Sequence, residues 1–289
     1  MKSLSIFGVL AGLAAASIWG GMYVVSKVVL EVIPPFSLLT IRLVLGALTL
    51  GLIIALRPKS KFTRQQFWNS FLVGVVGYGV SLSFQFVGTK LSTASNGALV
   101  TSATPAFVLL FAPFLLGERN TPRRILALVI STIGVVAVID PRNAELSPSL
   151  FWGNICLLAA GLTWALYSVL VRKVSKNRNL LLTSTIMLIG GLPISFPAGV
   201  WEISSQGVGT ITPGILGGIL FLGVISTAFA MFLWNYAFAE LPAAVASLTF
   251  FAQPVVGTLL GWLFLGEIIS PLFLIGGLLV GIGIVISGT

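Results

Sequence analysis

The chain has 289 residues, of which 57% are hydrophobic and only 8% charged, with a mean hydropathy of +1.08. A soluble domain carries about a quarter charged residues, so water is excluded as the main solvent of this surface and a bilayer takes its place. The 16 Lys and Arg outnumber the 7 Asp and Glu and there is no histidine, which removes the commonest general base and metal ligand.

Nearly continuous apolar runs of about twenty residues, each enough for one helical crossing, alternate with clusters of charge, proline and turn residues. They predict helices at 4–26, 36–56, 67–88, 92–116, 122–139, 150–172, 179–199, 213–238, 242–265 and 271–287. The expected fold is an all-α membrane protein of ten transmembrane helices. Barrel strands would instead alternate over about ten residues. The first run, with Lys2 and the small residues of Ala14 to Ser17, resembles a signal peptide, but its apolar character continues too far for a cleaved segment. It is read as a retained helix. The one cysteine, Cys156, excludes an internal disulfide.

Helix one carries Trp19 and Tyr23 on one face, and helix two carries Arg42, the one cation firmly within a span. Charges there are costly and mark function by default. Arg42 could contact a substrate carboxylate, snorkel outward, or bond helix-end carbonyls or Glu31. Helix three has the stripe Tyr78, Ser81 and Gln85, which lipid would reject and which must face protein or a cavity. Asn96, Thr101 and Thr104 on helix four, Asn235 on helix eight, and Thr249 and Gln253 on helix nine add neutral donors and acceptors. Pro105 and Pro254 fall near the middles of helices four and nine. Each would free the carbonyl four residues back, that of Thr101 or Phe250, making a hinge or a cavity contact. Glu118 and Glu267 end those helices, where each can cap the helix that follows or act as a gate. Trp164 and Ser168 on helix six repeat the aromatic face of helix one.

Orientation follows from the loops. Lys2, Arg57, Lys59, Lys61, Arg64, Arg119, Arg123, Arg124, Arg172, Lys173, Lys176 and Arg178 fall on one side, and Lys27, Lys90 and Arg142 on the other. The positive-inside rule places the first group, and both termini, in the cytoplasm. The excess positive charge is then an orientation and headgroup signal, and no nucleic-acid partner is expected.

One figure occurs twice. Superposing Pro105 on Pro254 brings Gly117 onto Gly266, Glu118 onto Glu267 and Pro122 onto Pro271; IGVV at Ile133 meets IGIV at Ile282, and Trp19 meets Trp164. Five helices make one unit, and an odd number forces the second copy to enter from the opposite face. The expected domains are residues 1–142 and 143–289, two inverted five-helix repeats around a central cavity, as in many transporters. The strings TKLSTASNGALVTSATPAFVLLFAPFLLGE and NYAFAELPAAVASLTFFAQPVVGTLLGWLFLGE resemble the drug/metabolite transporter superfamily, in its EamA-type branch, over the whole chain. The resemblance implies a ten-helix basket around a central cavity that exports small metabolites, amino acids prominent among them. A bacterial inner membrane is the expected location.

The expected function is export of small neutral metabolites, aromatic or apolar amino acids first. Trp19, Tyr78, Ser81, Gln85, Asn96, Thr101, Trp164, Asn235, Thr249 and Gln253 would line the site. Pro105 and Pro254 serve as hinges, Glu118 and Glu267 as gates or caps, and Arg42 as a possible carboxylate contact. No acidic residue sits at the centre of a run, so no metal, cofactor, catalytic residue or obligatory proton coupling is expected. The duplication removes the need for a partner chain, so a monomer is expected. A multidrug or other metabolite exporter is the alternative within transport. A phosphate-ester carrier would need cations on the cavity helices, and a membrane-embedded enzyme would need clustered catalytic groups at one interface.

Overall fold

A computed structural model describes residues 5–57, 62–92, 100–139, 150–175, 179–265 and 271–288, and among them the secondary structure is helical throughout. The elements are α1 (Ile6–Leu30), α2 (Pro35–Ala55), α3 (Arg64–Leu91), α4 (Thr104–Leu116) and α5 (Pro122–Ile139). There follow α6 (Phe151–Ser175), α7 (Leu180–Gln206) and α8 (Pro213–Glu240). Next is α9 (Ala243–Leu248, a 3₁₀ turn at Thr249–Phe251, and Ala252–Leu265), and last α10 (Pro271–Gly288). Among the described residues six of these are long and apolar enough to cross a membrane: α1, α2, α3, α6, α7 and α8. Shorter apolar helices accompany them.

Four starts are written locally. Ser5, Thr63, Asn179 and Thr212 accept from the backbone N–H three residues on, satisfying donors that a helix cannot satisfy itself. Thr63 and Gln66 form a reciprocal capping box, which begins α3 three residues before the expected Phe67. Helix α2 begins at Pro34 and Pro35 without a capping side chain of its own. The buried carboxylate of Glu202, near the end of α7, receives the Phe36 and Ser37 N–H groups at 2.8 and 2.9 Å. This bond ties α2 to α7 along their long contact.

Two helices widen in mid-span. Residues Val75–Ser81 of α3 and Phe221–Phe229 of α8 wind as π-helix, a form that usually occurs as single turns and often at functional sites. The two segments lie as far apart in the chain, within a few residues, as Trp19 from Trp164 and Pro105 from Pro254. Nothing in the apolar pattern announced them.

The two prolines differ. Pro105 is the second residue of α4, not in mid-helix as expected, and the chain restarts just ahead of it, because a ring without an N–H fits a first helical turn better than an interior. Pro254 lies in the middle of α9 as expected, where the helix tightens to a 3₁₀ turn at Thr249–Phe251 and restarts as α-helix just ahead of the ring.

Helices close where glycine permits. A Cβ on Gly20 of α1 would stand 2.8 Å from the Gln253 carbonyl and 2.9 Å from the Gly257 nitrogen, so α1 and α9 touch through their backbones. Small residues serve this purpose in membrane helices. The main core joins α1, α2, α3, α4, α6, α7, α8 and α9 around Trp19, Tyr78, Trp164 and Trp234. A smaller cluster, with Ala127, Val135, Leu248, Phe251 and Val280, holds α5 and α10 to α9. Large apolar side chains such as Phe7, Leu52, Phe114, Phe196, Leu274 and Val285 are exposed, as lipid-facing residues would be.

Candidate functional site

Three tryptophans meet at the centre. Trp19 of α1 sets its ring edge-on to Trp164 of α6, with centroids 5.5 Å apart. Trp234 of α8 lies 5.3 Å from Trp19, and Phe250 of the 3₁₀ turn lies 5.5 Å from Trp234. Edge-to-face and tilted pairs of this kind favour aromatic clusters beyond their buried area.

Two of the three indole N–H groups are satisfied. Trp19 Nε1 donates to the carbonyl of Ser226, inside the π segment of α8, at 3.0 Å. Trp234 Nε1 donates to Ser168 Oγ, also at 3.0 Å. Trp164 Nε1 is buried and has no acceptor. The Trp164 side chain lines a cavity whose wall also includes Trp19, Met22, Ser81, Leu82 and Gln85. Thr101, Thr104, Ala160, Gly161, Met231, Phe250 and Gln253 complete it. No charged side chain belongs to this wall. Its volume is about 30 Å³, room for a water or two but not for a metabolite.

Six of the expected site residues thus come together: Trp19, Ser81, Gln85, Thr101, Trp164 and Gln253. Gln85 Nε2 donates to the Tyr23 hydroxyl at 2.8 Å, and that hydroxyl is 3.2 Å from Thr101 Oγ1. Helices α1 and α3 and the segment just ahead of α4 are therefore linked beside the cavity. Ser81 spends its proton on the Ala160 carbonyl at 2.8 Å.

Tyr78, Asn235 and Thr249 stand elsewhere. The stripe expected on α3 divides at the π segment, which turns Tyr78 away from Ser81 and Gln85. The Tyr78 and Tyr167 hydroxyls are 2.5 Å apart, and Tyr167 Oη lies 2.6 Å from Asn235 Oδ1. Asn235 Nδ2 donates to Ser184 Oγ at 3.0 Å. This fully buried network joins α3, α6, α7 and α8 behind the tryptophans. Thr249 is buried against Gly12 and donates to the Ala246 carbonyl at 2.6 Å. Asn96 and Glu267 lie outside the described residues.

Arg42 is wholly buried. It reaches neither solvent nor Glu31. Its Nε donates to Thr227 Oγ1 at 3.0 Å and to the Leu222 carbonyl at 3.3 Å, both in the π segment of α8. Its Nη2 lies 3.3 Å from Ser226 Oγ and 3.7 Å from Met22 Sδ, and the guanidinium stands 4.9 Å over the Phe86 ring.

Glu118 also departs from expectation. It does not cap α5, the helix that follows it. Gly117, at φ 66°, turns the chain out of α4, and the Glu118 carboxylate then receives the Ala243 N–H at 2.9 Å. It caps the start of α9, in the other half of the chain. Its second oxygen pairs with Arg172 Nε at 2.5 Å, and Arg172 Nη1 donates to the Phe238 and Leu241 carbonyls. Beside this tie, on the face bearing Arg57 and Lys173, opens a larger cavity of about 1110 Å³.

Most of the residues missed from sequence share one trait. Met22, Tyr167, Ser226, Met231 and Trp234 belong to apolar runs without a polar stripe to mark them, and Phe250 was expected to contribute its carbonyl, not its ring. Met22 and Tyr167 did carry a signal, each three residues after a tryptophan, Trp19 or Trp164, and so on the same helical face.

A bundle of long apolar helices around an aromatic centre, with most of its charges at the helix ends and Arg42 buried within, is that of a multi-span membrane protein. The chain belongs to the EamA-like transporter family, whose model matches it twice, over residues 6–139 and 151–289. It is thereby a transporter of the drug/metabolite superfamily. It is 24% identical to the uncharacterized transporter YoaV of Bacillus subtilis (strain 168) over 269 residues, 92% of this chain and 91% of that one. It is 28% identical to an uncharacterized transporter of Archaeoglobus fulgidus over 269 residues, 93% of this chain and 94% of that one. It is also 28% identical to protein PecM of Dickeya dadantii (strain 3937), over 91% of this chain and 86% of that one. A solved crystal structure superposes with a TM-score of 0.81 at 20% identity, covering 97% of this chain and 96% of the other, a likeness of fold.

Proposed function

We propose that the protein exports small metabolites with an apolar or aromatic body, amino acids such as phenylalanine first among them, through the cavity at Trp19 and Trp164. The observation that carries this reading is the Trp164 indole N–H, buried, lining the cavity and without an acceptor. An unmet buried donor has a desolvation cost of about 1–3 kcal/mol, which a substrate oxygen would relieve. Gln85, Thr101 and Gln253 would hold the other polar atoms. The rings would take the apolar body.

In this reading the chain is two inverted five-helix units, residues 1–142 and 143–289, that rock against each other across a bacterial inner membrane, both termini in the cytoplasm. The twofold family match, the paired π segments and the meeting of Trp19 with Trp164 support it. The restarts before Pro105 and Pro254 would bend during rocking, and a single chain would suffice. Movement would be down the substrate gradient without obligatory proton coupling. The described carboxylates Glu31, Glu118, Glu202 and Glu240 all lie at or near helix ends, and none of them lines the central cavity.

Efflux of labelled phenylalanine, alanine and a cationic dye from proteoliposomes, with and without an imposed pH gradient, tests the reading. Phenylalanine is expected to leave fastest at a rate the gradient does not change, and Trp164→Phe is expected to slow it about tenfold or more, in keeping with loss of one buried donor. Uphill accumulation of any amino acid driven by pH would refute uncoupled movement, and dye transport alone would refute the substrate class.

A further inference from the structure

Arg42 is bound by acceptors too weak for its charge. The wholly buried guanidinium has five N–H donors, and the described residues offer them a carbonyl, two hydroxyls and a thioether. Nη1 has no acceptor. Among the described residues no carboxylate pairs with this cation; the ion pair they do form is Arg172 with Glu118, at a helix end. An uncompensated cation within a span is costly, and a cation of this shape is matched by a carboxylate, which takes two parallel N–H groups at once.

The position of the weakest acceptor points the same way. Met22 Sδ contacts Arg42 Nη2, and Met22 is also part of the cavity wall. One flexible, unbranched side chain therefore separates the cation from the cavity, and a thioether is a poor acceptor. Arg42 is held firmly on its other side, by the π segment of α8 through Leu222, Ser226 and Thr227, and by the Phe86 ring. It is a fixed cation behind a movable screen.

We infer that Arg42 is the carboxylate-binding group of the central site, reached when Met22 swings aside, so that the transported class carries a carboxylate beside its apolar body. The inference rests on the reading of the cavity as the substrate site. It narrows that reading: the wall itself has no charged group, so a substrate carboxylate finds its counter-charge one layer behind the wall, while an amine meets only neutral acceptors. An aromatic amine or alcohol of the same size would occupy the cavity without this contact.

Binding to the purified protein, followed by tryptophan fluorescence, separates the possibilities without requiring transport. Three probes of similar shape are titrated: 3-phenylpropionate, 3-phenylpropanol and 2-phenylethylamine. The acid is expected to bind at least tenfold tighter than the other two, as a charge-assisted pair would give. Arg42→Gln is expected to abolish that difference by bringing the acid down to the affinity of the alcohol. Met22→Leu keeps the volume and removes the competing sulfur, so it is expected to raise the preference for acid over alcohol by about three- to tenfold, whatever it does to both through the cavity wall; it stands in where Arg42→Gln does not fold. Equal binding of acid and alcohol, both weakened in Trp164→Phe, would overturn the role of Arg42 and leave the cavity reading intact. Acid binding that survives Arg42→Gln unchanged would also overturn it. Absence of binding by all three probes would overturn the cavity reading and this inference with it.

Discussion

The tie between Glu118, Arg172 and Ala243 offers a direct measure of how the two halves are held on the basic face. The Glu118 carboxylate does two separable things. One oxygen accepts the Ala243 N–H at 2.9 Å, the other pairs with Arg172. The two side chains are 17% and 25% exposed, so solvent screens the pair in part, and about 1 kcal/mol is a reasonable value for it. The cap on α9 contributes about as much again. Glu118→Gln keeps an oxygen for Ala243 and loses the charge, so it should cost about 1 kcal/mol. Glu118→Ala loses both and should cost about 2 kcal/mol. Equilibrium unfolding of the detergent-solubilised protein by increasing mole fraction of a denaturing detergent measures both. Adding Arg172→Met to each completes a double-mutant cycle. The cycle with Glu118→Gln should give a coupling near 1 kcal/mol. Equal losses for Gln and Ala, or a coupling near zero, would refute the division into cap and pair.

Two further substitutions test the packing. Gly20→Ala should force α1 from α9, since its Cβ would stand 2.8 Å from the Gln253 carbonyl, whereas Gly217→Ala, with nothing within 4 Å, should not. Overpacking costs about 1–3 kcal/mol, so thermal unfolding in detergent should place the Gly20 variant below the Gly217 variant by that margin; similar midpoints would count against the close crossing. Tyr167→Phe should destabilise the protein by about 1–3 kcal/mol, because it strips Asn235 Oδ1 of its donor within a sealed network. Tyr167→Phe as stable as the parent by the same measurement would mean that water enters there.

The span pattern was readable because hydrocarbon demands it. Helix α2 lies one residue from its expected bounds, and α5 on them. What apolar periodicity cannot convey is a partner far along the chain. Arg42 was visible as an oddity, but its acceptors lie on α8, 180 to 185 residues away. Glu118 was read as a cap for its own neighbour, since local spacing is all that a hairpin offers, and it caps a helix 125 residues on. The start of α3 was a different kind of miss: Thr63 and Gln66 carry the capping-box spacing openly, but they lie ahead of Phe67, where the expected helix begins. The site was legible where polar residues interrupt apolar runs, at Ser81, Gln85, Thr101 and Gln253. It was hidden where apolar side chains do the lining, at Met22 and Met231, and at Phe250 only the carbonyl and not the ring was legible.

The π segments carry a record of history. A wide turn is what a helix keeps when one residue is inserted and the flanking faces must stay where they were, because rotating them would turn polar groups toward lipid. Under the duplication proposed above, wide turns at Val75–Ser81 and Phe221–Phe229 date that insertion to the ancestral half, before the gene doubled. In that history the copies have since diverged in use: one supplies Leu222, Ser226 and Thr227 to Arg42 and Trp19, and the other supplies Tyr78 and Ser81 to Tyr167 and Ala160. The same local widening thus frees backbone and hydroxyl groups for a cation and an indole in one helix, and for a neutral hydroxyl and a carbonyl in the other.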